Sequence, residues 1–249
     1  MRETLARLAA LAAAVAVLGC SGSASSTAVD PSTVLRQAAD AITGLHSVIA
    51  DVKFGSGITV AGVSLSSATS KIQLPRDSDS TFKVKQGDFL LDLRVVTTGG
   101  HVYVKLPLAS FTEVTPQQAR EFPDVSSLFD PHSGLPAVLP AGRDTRSLGT
   151  EQVAGVDCNK VGATYTADQL GQLLAGVKPA GDVQATIWAG RSDHLVRKVV
   201  LSGPLLEAGK VVQVDVNLHD FNQPVAVATP SLAPGAAPSA SPSPSASPS

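Results

Sequence analysis

Hydrophobic positions in this chain change period several times, and each change marks an element. From Pro31 to Gly44 the apolar residues Val34, Leu35, Ala38, Ala39 and Ile42 recur at helical spacing, with Asp30 or Ser32 placed to cap the start and Gly44 to end it. Alternation at period two follows. Ser47–Phe54 sets Val48, Ala50, Val52 and Phe54 against Asp51 and Lys53, and Ile58–Val63 and Ser66–Leu74 read as two further strands. Thr81–Lys85 and Asp88–Thr97 form a hairpin around Gln86-Gly87, and His101–Leu106 returns after Gly99-Gly100. The segment 116–140 carries five prolines and predicts short helices over 116–121, 126–129 and 135–139. Strands resume at 143–148 and 156–165, a Thr166-capped helix covers 167–174, and strands close the pattern at 182–188, 195–202 and 210–221.

This order predicts an α+β fold built on a single large curved antiparallel sheet, a half-barrel with one aliphatic face. Strand phase assigns to that face Val48, Ala50, Val52 and Phe54; Phe89, Leu91, Leu93 and Val95; Val102, Val104 and Leu106; and Val212, Val214, Val216 and Leu218. The opposite face receives Asp51, Lys53, Asp88, Asp92, Arg94, Lys105, Gln213, Asp215 and Asn217. Something must cover the aliphatic face. Either the helices fill it as an ordinary core, or they leave an apolar cavity of several hundred Å³, more than close packing permits. Periodicity does not choose between the two.

The ends of the chain read differently. Arg2 and Arg7 precede an apolar run, Leu8–Leu18, which stops at Gly19-Cys20 before Ser21-Gly22-Ser23. A charged start, a short apolar core and small residues before a break describe a secretory leader, too short to span a bilayer. With cysteine at the break, the pattern resembles the bacterial lipobox, although Leu18 is bulkier than usual there. The resemblance implies that residues 1–19 are removed and that Cys20 is acylated. Residues 20–29 then form a spacer, which places the folded part, 30–227, at the extracytoplasmic face of the cell membrane, tethered by lipid. Residues 228–249 are rich in Ser, Pro and Ala and predict a disordered tail, either passive or built to span or be glycosylated in the wall.

Composition narrows the chemistry. Charged residues make up 16% of the chain and the formal net charge is −2, so no basic stripe suggests nucleic acid. Cys158 stands alone once Cys20 is acylated, flanked by valines, and reads as a small buried hydrophobe. The histidines at 46, 101, 132, 194 and 219 are scattered, without metal-ligand spacing, and neither a Gly-x-Ser-x-Gly elbow nor a phosphate-binding loop is present. Asp77-Ser78-Asp79 lacks the rest of a calcium loop and reads as a solvated turn. Glu121, Asp124 and Asp130 read as helix caps and loop charges. Trp188 either borders a cavity or clamps its hairpin. No enzyme, cofactor or metal is expected.

Several short motifs stand in a fixed order behind the lipobox: Gly44-Leu45-His46-Ser47, then Gly100-His101-Val102-Tyr103-Val104-Lys105, then Phe129-Asp130-Pro131-His132-Ser133-Gly134-Leu135. Val153-Ala154-Gly155-Val156, Thr166-Ala167-Asp168-Gln169-Leu170, Ala185-Thr186-Ile187-Trp188 and Leu195-Val196-Arg197-Lys198-Val199 complete the series. Across about 30–227 the set resembles the LppX/LprA/LprF/LprG lipoproteins of actinobacteria. That resemblance implies a LolA/LolB-like half-barrel with helices over its concave side and a cavity for the acyl chains of envelope lipids or glycolipids. It also implies a membrane efflux transporter as a partner, and no catalytic residues. The Ser/Pro tail departs from the family pattern and leaves the particular lipid open. The competing reading is a surface lipoprotein with a filled core that binds a protein or aids envelope assembly.

Overall fold

The computed structural model describes residues 29–232, apart from 56–57, 61–62, 121, 123 and 174–178. Cys20, the leader and most of the Ser/Pro tail therefore lie outside the described residues. Helix α1 (Pro31–Thr43) leads into strands β1 (Ser47–Phe54), β2 (Thr59–Val60), β3 (Val63–Gln73), β4 (Asp77–Gln86), β5 (Phe89–Thr98), β6 (His101–Lys105) and β7 (Thr112–Glu113). Short helices α2 (Pro116–Ala119) and α3 (Leu135–Val138) follow, with 3₁₀ turns at Val125–Phe129 and Leu139–Ala141. The chain continues through β8 (Arg143–Val153), β9 (Val156–Tyr165), α4 (Ala167–Leu173), β10 (Val183–Gly190), β11 (Val196–Gly203) and β12 (Val212–His219).

One sheet holds all twelve strands in the order β7-β6-β5-β4-β3-β1-β12-β11-β10-β9-β8, with β2 paired to β3 beside this path. Every named pair is antiparallel, and β3–β4, β4–β5 and β5–β6 are joined by short hairpins. The β4–β5 hairpin pairs Gln86 with Phe89, so its turn is Gly87-Asp88, one residue later than expected, with Gly87 at φ +61°. Gly99-Gly100 and Ala154-Gly155 make two more two-residue turns with positive φ at both positions, the twist-matched hairpin geometry.

The chain differs from the sequence expectation at 77–80. This segment is the start of β4 rather than a solvated turn. Ser78 and Ser80 point inward and are buried, and the Ser80 hydroxyl donates to Ser70 Oγ at 2.9 Å. On the outer face Asp79 accepts from Arg94 Nε at 2.7 Å. Small hydroxyls that satisfy each other can occupy an interior strand as an apolar residue would.

Two apolar clusters share the inner face. The larger packs α1, through Val34, Leu35, Ala38, Ala39 and Ile42, onto β1 and β9–β12, and it gathers Phe129, Val138, Leu139 and Leu170. The smaller is Ala68, Phe82, Val84, Val95 and Val104 on β3–β6, with Val114 and Phe122 half-buried beside it. Val52, Phe54 and Leu65 touch both. Helix α1 packs against β8, β9, β10, α3 and the Leu139–Ala141 turn, whereas only the Val125–Phe129 turn makes comparable contact with β3 and β4. The helices thus cover one half of the concave face densely and the other thinly.

Candidate functional site

The ladders place the sequence-assigned wall residues on one face. Val52 lies opposite Val216 and Ala68, Ala68 opposite Phe82, Phe82 opposite Leu93, and Val95 opposite Val104. Their surroundings are not equal. Val48, Ala50, Val212, Val214 and Leu218 are buried in the cluster with α1, and Val216 is packed against it. Those positions are ordinary core. Val95, Val102, Val104, Leu91 and Leu93 belong to the thinly covered half.

In that half, Val95, Thr97 and Val102 form one wall of an open cleft of about 350 Å³, and Ala119, Arg120, Phe122 and Asp124 form the other. Thr115 starts the second wall. Its hydroxyl accepts from the Gln118 N–H while the Gln118 amide oxygen accepts from the Thr115 N–H, a capping box that fixes α2. Asp124 caps the next turn by accepting from the Ser126 N–H at 3.1 Å and its hydroxyl at 2.6 Å. Asp130 holds the following loop through the N–H groups of His132 and Ser133. Arg120 is exposed at the cleft edge. The cleft volume lies near the lower end of the roughly 300–1,000 Å³ typical of ligand sites.

Below the cleft the inner side chains of β5 lose cover stepwise. Val95 is buried, Leu93 and Leu91 are half-buried, and Phe89 is 73% exposed. Leu106 at the end of β6 is 55% exposed. An apolar strip therefore runs from the cleft to the β4–β5 turn. Phase analysis placed the β5 and β6 residues on this face. It missed Phe82 and Val84 as wall partners, although the alternation Ser78, Ser80, Phe82, Val84 carries the signal. Phe122 lies in the proline-rich stretch and Val114 just before it, where no periodicity could reveal them.

Trp188 does not border the cleft. It faces the outer side, since its neighbour Ile187 fills the inner core, and it is packed between Lys160 and Lys198, each with Nζ 4.9 Å from the ring. Glu151 accepts from Lys160 at 2.9 Å, and this ammonium leads the causes that hold its carboxyl below the ordinary range. Cys158 is fully buried, and burial raises its thiol pKa, away from reactivity. On the outer face His219 bridges Asp51 Oδ2 at 2.9 Å and Asp220 Oδ2 at 3.0 Å.

Comparison with known proteins agrees with this architecture. A Mycolicibacterium hassiacum protein named lipoarabinomannan carrier protein LprG is 29% identical over 230 residues, covering 90% of this chain and 96% of its own length. Lipoprotein LprA of Mycobacterium tuberculosis is 28% identical over 211 residues, covering 77% and 84%. The crystal structure of LprF from Mycobacterium bovis superposes with a TM-score of 0.65 at 20% identity, over 80% of this chain and 96% of that one. The structure of lipoprotein LppX from Mycobacterium tuberculosis gives 0.56 at 21% identity, over 79% and 97%. The LppX_LprAFG lipoprotein family model matches residues 30–227, the span that contains the sheet, α1 and the cleft, and the chain belongs to that family.

Proposed function

We propose that this protein carries or presents acylated lipids in the cell envelope, held at the extracytoplasmic face by acylation of Cys20. The observation that carries the reading is the graded apolar strip Phe89–Leu91–Leu93–Val95 leading into the Val95/Val102/Phe122 cleft. A sixteen-carbon chain in water forgoes about 12 kcal/mol of transfer free energy, at roughly 0.8 kcal/mol per CH₂. A wall of Leu, Val and Phe recovers it without forming or breaking a bond, so the reading includes no catalytic step. The cleft admits part of one chain and the strip supports the remainder. Arg120 at the edge suits an anionic or sugar-phosphate headgroup. The names of the LprG relatives support a glycolipid ligand, and a membrane transporter is the natural donor or acceptor.

Native mass spectrometry of the mature protein from an actinobacterial host tests the proposal, with denatured extracts identifying what is released. Leu93→Trp and Val102→Trp fill the strip and the cleft, and both should remove co-purified two- or three-chain lipid while the thermal midpoint stays within a few degrees. A wild-type protein that remains empty after incubation with host lipids would overturn the reading in favour of a protein-binding lipoprotein with a closed core.

A further inference from the structure

Among the described residues, the exposed large hydrophobic side chains are not scattered. Phe89, Leu90, Leu106, Leu108 and Val211 account for five of the seven, with Val29 and Leu148 the others. The ladders gather these five at one end of the sheet. Phe89 and Leu90 follow the β4–β5 turn, Leu106 and Leu108 follow the last paired residue of β6, and Val211 precedes β12, whose Val214 lies opposite the end of β1 at Phe54. Arg94 is the last β5 residue paired with β6, so the hairpin tip projects some five residues, about 16 Å, beyond that ladder.

We propose that this rim docks on a phospholipid bilayer, so that the apolar strip opens directly into the acyl layer. Phe89 and Leu90 point to opposite faces of β5, and both are exposed. A strand with apolar side chains on both faces of its free end has no single core that could bury them, whereas a bilayer can take both. Leu108 strengthens the case. It is fully exposed and holds φ +62°, a conformation that glycine or asparagine adopts at lower cost. Stability alone does not select leucine there.

Charge and tether identify the occupant as a membrane surface. Lys85 sits opposite Leu90 and Lys105 precedes Leu106, where long ammonium side chains can reach anionic headgroups while their neighbours insert. Asp88 lies in the turn itself, and Asp92 is paired with Lys83 at 2.9 Å. Nine residues, 21–29, separate the acylation site from the Asp30 cap of α1, a reach of about 30 Å. This exceeds the radius of gyration of about 16 Å expected for a 200-residue domain, so a tethered domain can turn its rim to the surface. The inference rests on the carrier reading for its purpose and stands apart from it in its test.

Acylated mature protein is reconstituted into phosphatidylcholine/phosphatidylglycerol vesicles that contain brominated acyl chains. Trp188, on the outer face of β10 six strands away from β5, is the internal reference and should remain unquenched. Leu108→Trp should add emission that is blue-shifted and quenched, while Leu148→Trp on β8 should add emission that is not. Uptake of a fluorescent two-chain lipid from donor vesicles should slow about tenfold in the double variant Leu90→Asp/Leu108→Asp, with the final load unchanged. Equal and negligible quenching at 108 and 148 would overturn the proposal and leave the rim to a protein partner. So would an unchanged uptake rate in a folded double variant. Quenching at 108 without any lipid uptake would sustain the docking surface and remove the carrier reading.

Discussion

At Gly134 the backbone comes too close to itself for a side chain. A Cβ there would lie 2.5 Å from the Leu128 carbonyl oxygen and 2.6 Å from that of Asp130. The Asp130-Pro131-His132-Ser133-Gly134 motif is therefore a self-capped loop that folds onto the preceding 3₁₀ turn, closed by the Gly134 N–H donating to Asp130 O at 2.8 Å. The motif was legible in the sequence, but its reason was not, because glycine's φ here is negative and only the close approach demands it. Gly134→Ala should cost about 1–3 kcal/mol in urea unfolding, since the clashing atoms are backbone and cannot swing away. His219 makes a prediction in pH. Partial burial disfavours its charged ring, but the bonds to Asp51 and Asp220 outweigh that together and raise its pKa above 6.5. The stability it contributes is complete below pH 6.5 and is lost as pH rises through the raised value. The urea midpoint of the wild type should therefore fall more between pH 6 and pH 8.5 than that of His219→Asn. Asp51 acts in the opposite direction. The Thr69 hydroxyl leads the contacts that lower its pKa, so its contribution is lost only toward the acid end, below the His219 window.

Among elements, α1 shows how much a periodic pattern can specify. Its apolar stripe, its Asp30 cap and its Gly44 stop were all readable, and all five stripe residues are buried. Strands β1 and β9 match their expected spans end to end. The pattern failed where polarity imitated a loop, at Ser78 and Ser80, and where prolines erased periodicity, at 114–122. Those two places form parts of the thinly covered half, so the candidate site was harder to read than the core. The division between halves is measurable. Ile42 is almost wholly enclosed between α1 and the sheet, and Ile42→Ala should cost about 2–5 kcal/mol. Leu91 is half-buried, with no helix among the described residues packed on β5 as α1 packs on β9, and Leu91→Ala should cost only about 1 kcal/mol in the same urea titration. On the proposed carrier function its cover would be the lipid, and Leu91 would contribute to binding more than to folding.

Across the whole molecule, an open sheet of this width has two free edges, and each is protected differently. Edge strand β8 is interrupted by register shifts between Arg143 and Arg146 and between Ser147 and Thr150, which discourage pairing with another chain. At the other edge β7 is two residues long, and the chain past β12 reaches it. Asn222 donates its N–H to Ser47 O at 2.9 Å and accepts the His46 N–H at 2.8 Å, and Leu232 then bridges Phe111 beside β7. The described chain thus continues five residues past Val227. Five strand spacings separate β1 from β7, about 24 Å, and nine residue steps reach about 30 Å, so this segment is a nearly extended strap across the thin half of the sheet. Val225, Val227, Pro230 and Leu232 are half-buried along it. On the outer face of the same half, Val96 and Tyr103 are buried although no helix packs on β5 or β6 as α1 does on β9. Ending the chain after Gln223 should therefore speed hydrogen exchange at β5 and β6 amides and expose Tyr103, while β9–β12 under α1 keep their protection. Ending it after Leu232 should change neither, because the bridge to Phe111 is retained. A uniform loss of protection over all strands in the shorter chain would instead make the strap part of one cooperative unit, and the thin half would then lack the independent mobility that the proposed lipid entry along β5 requires.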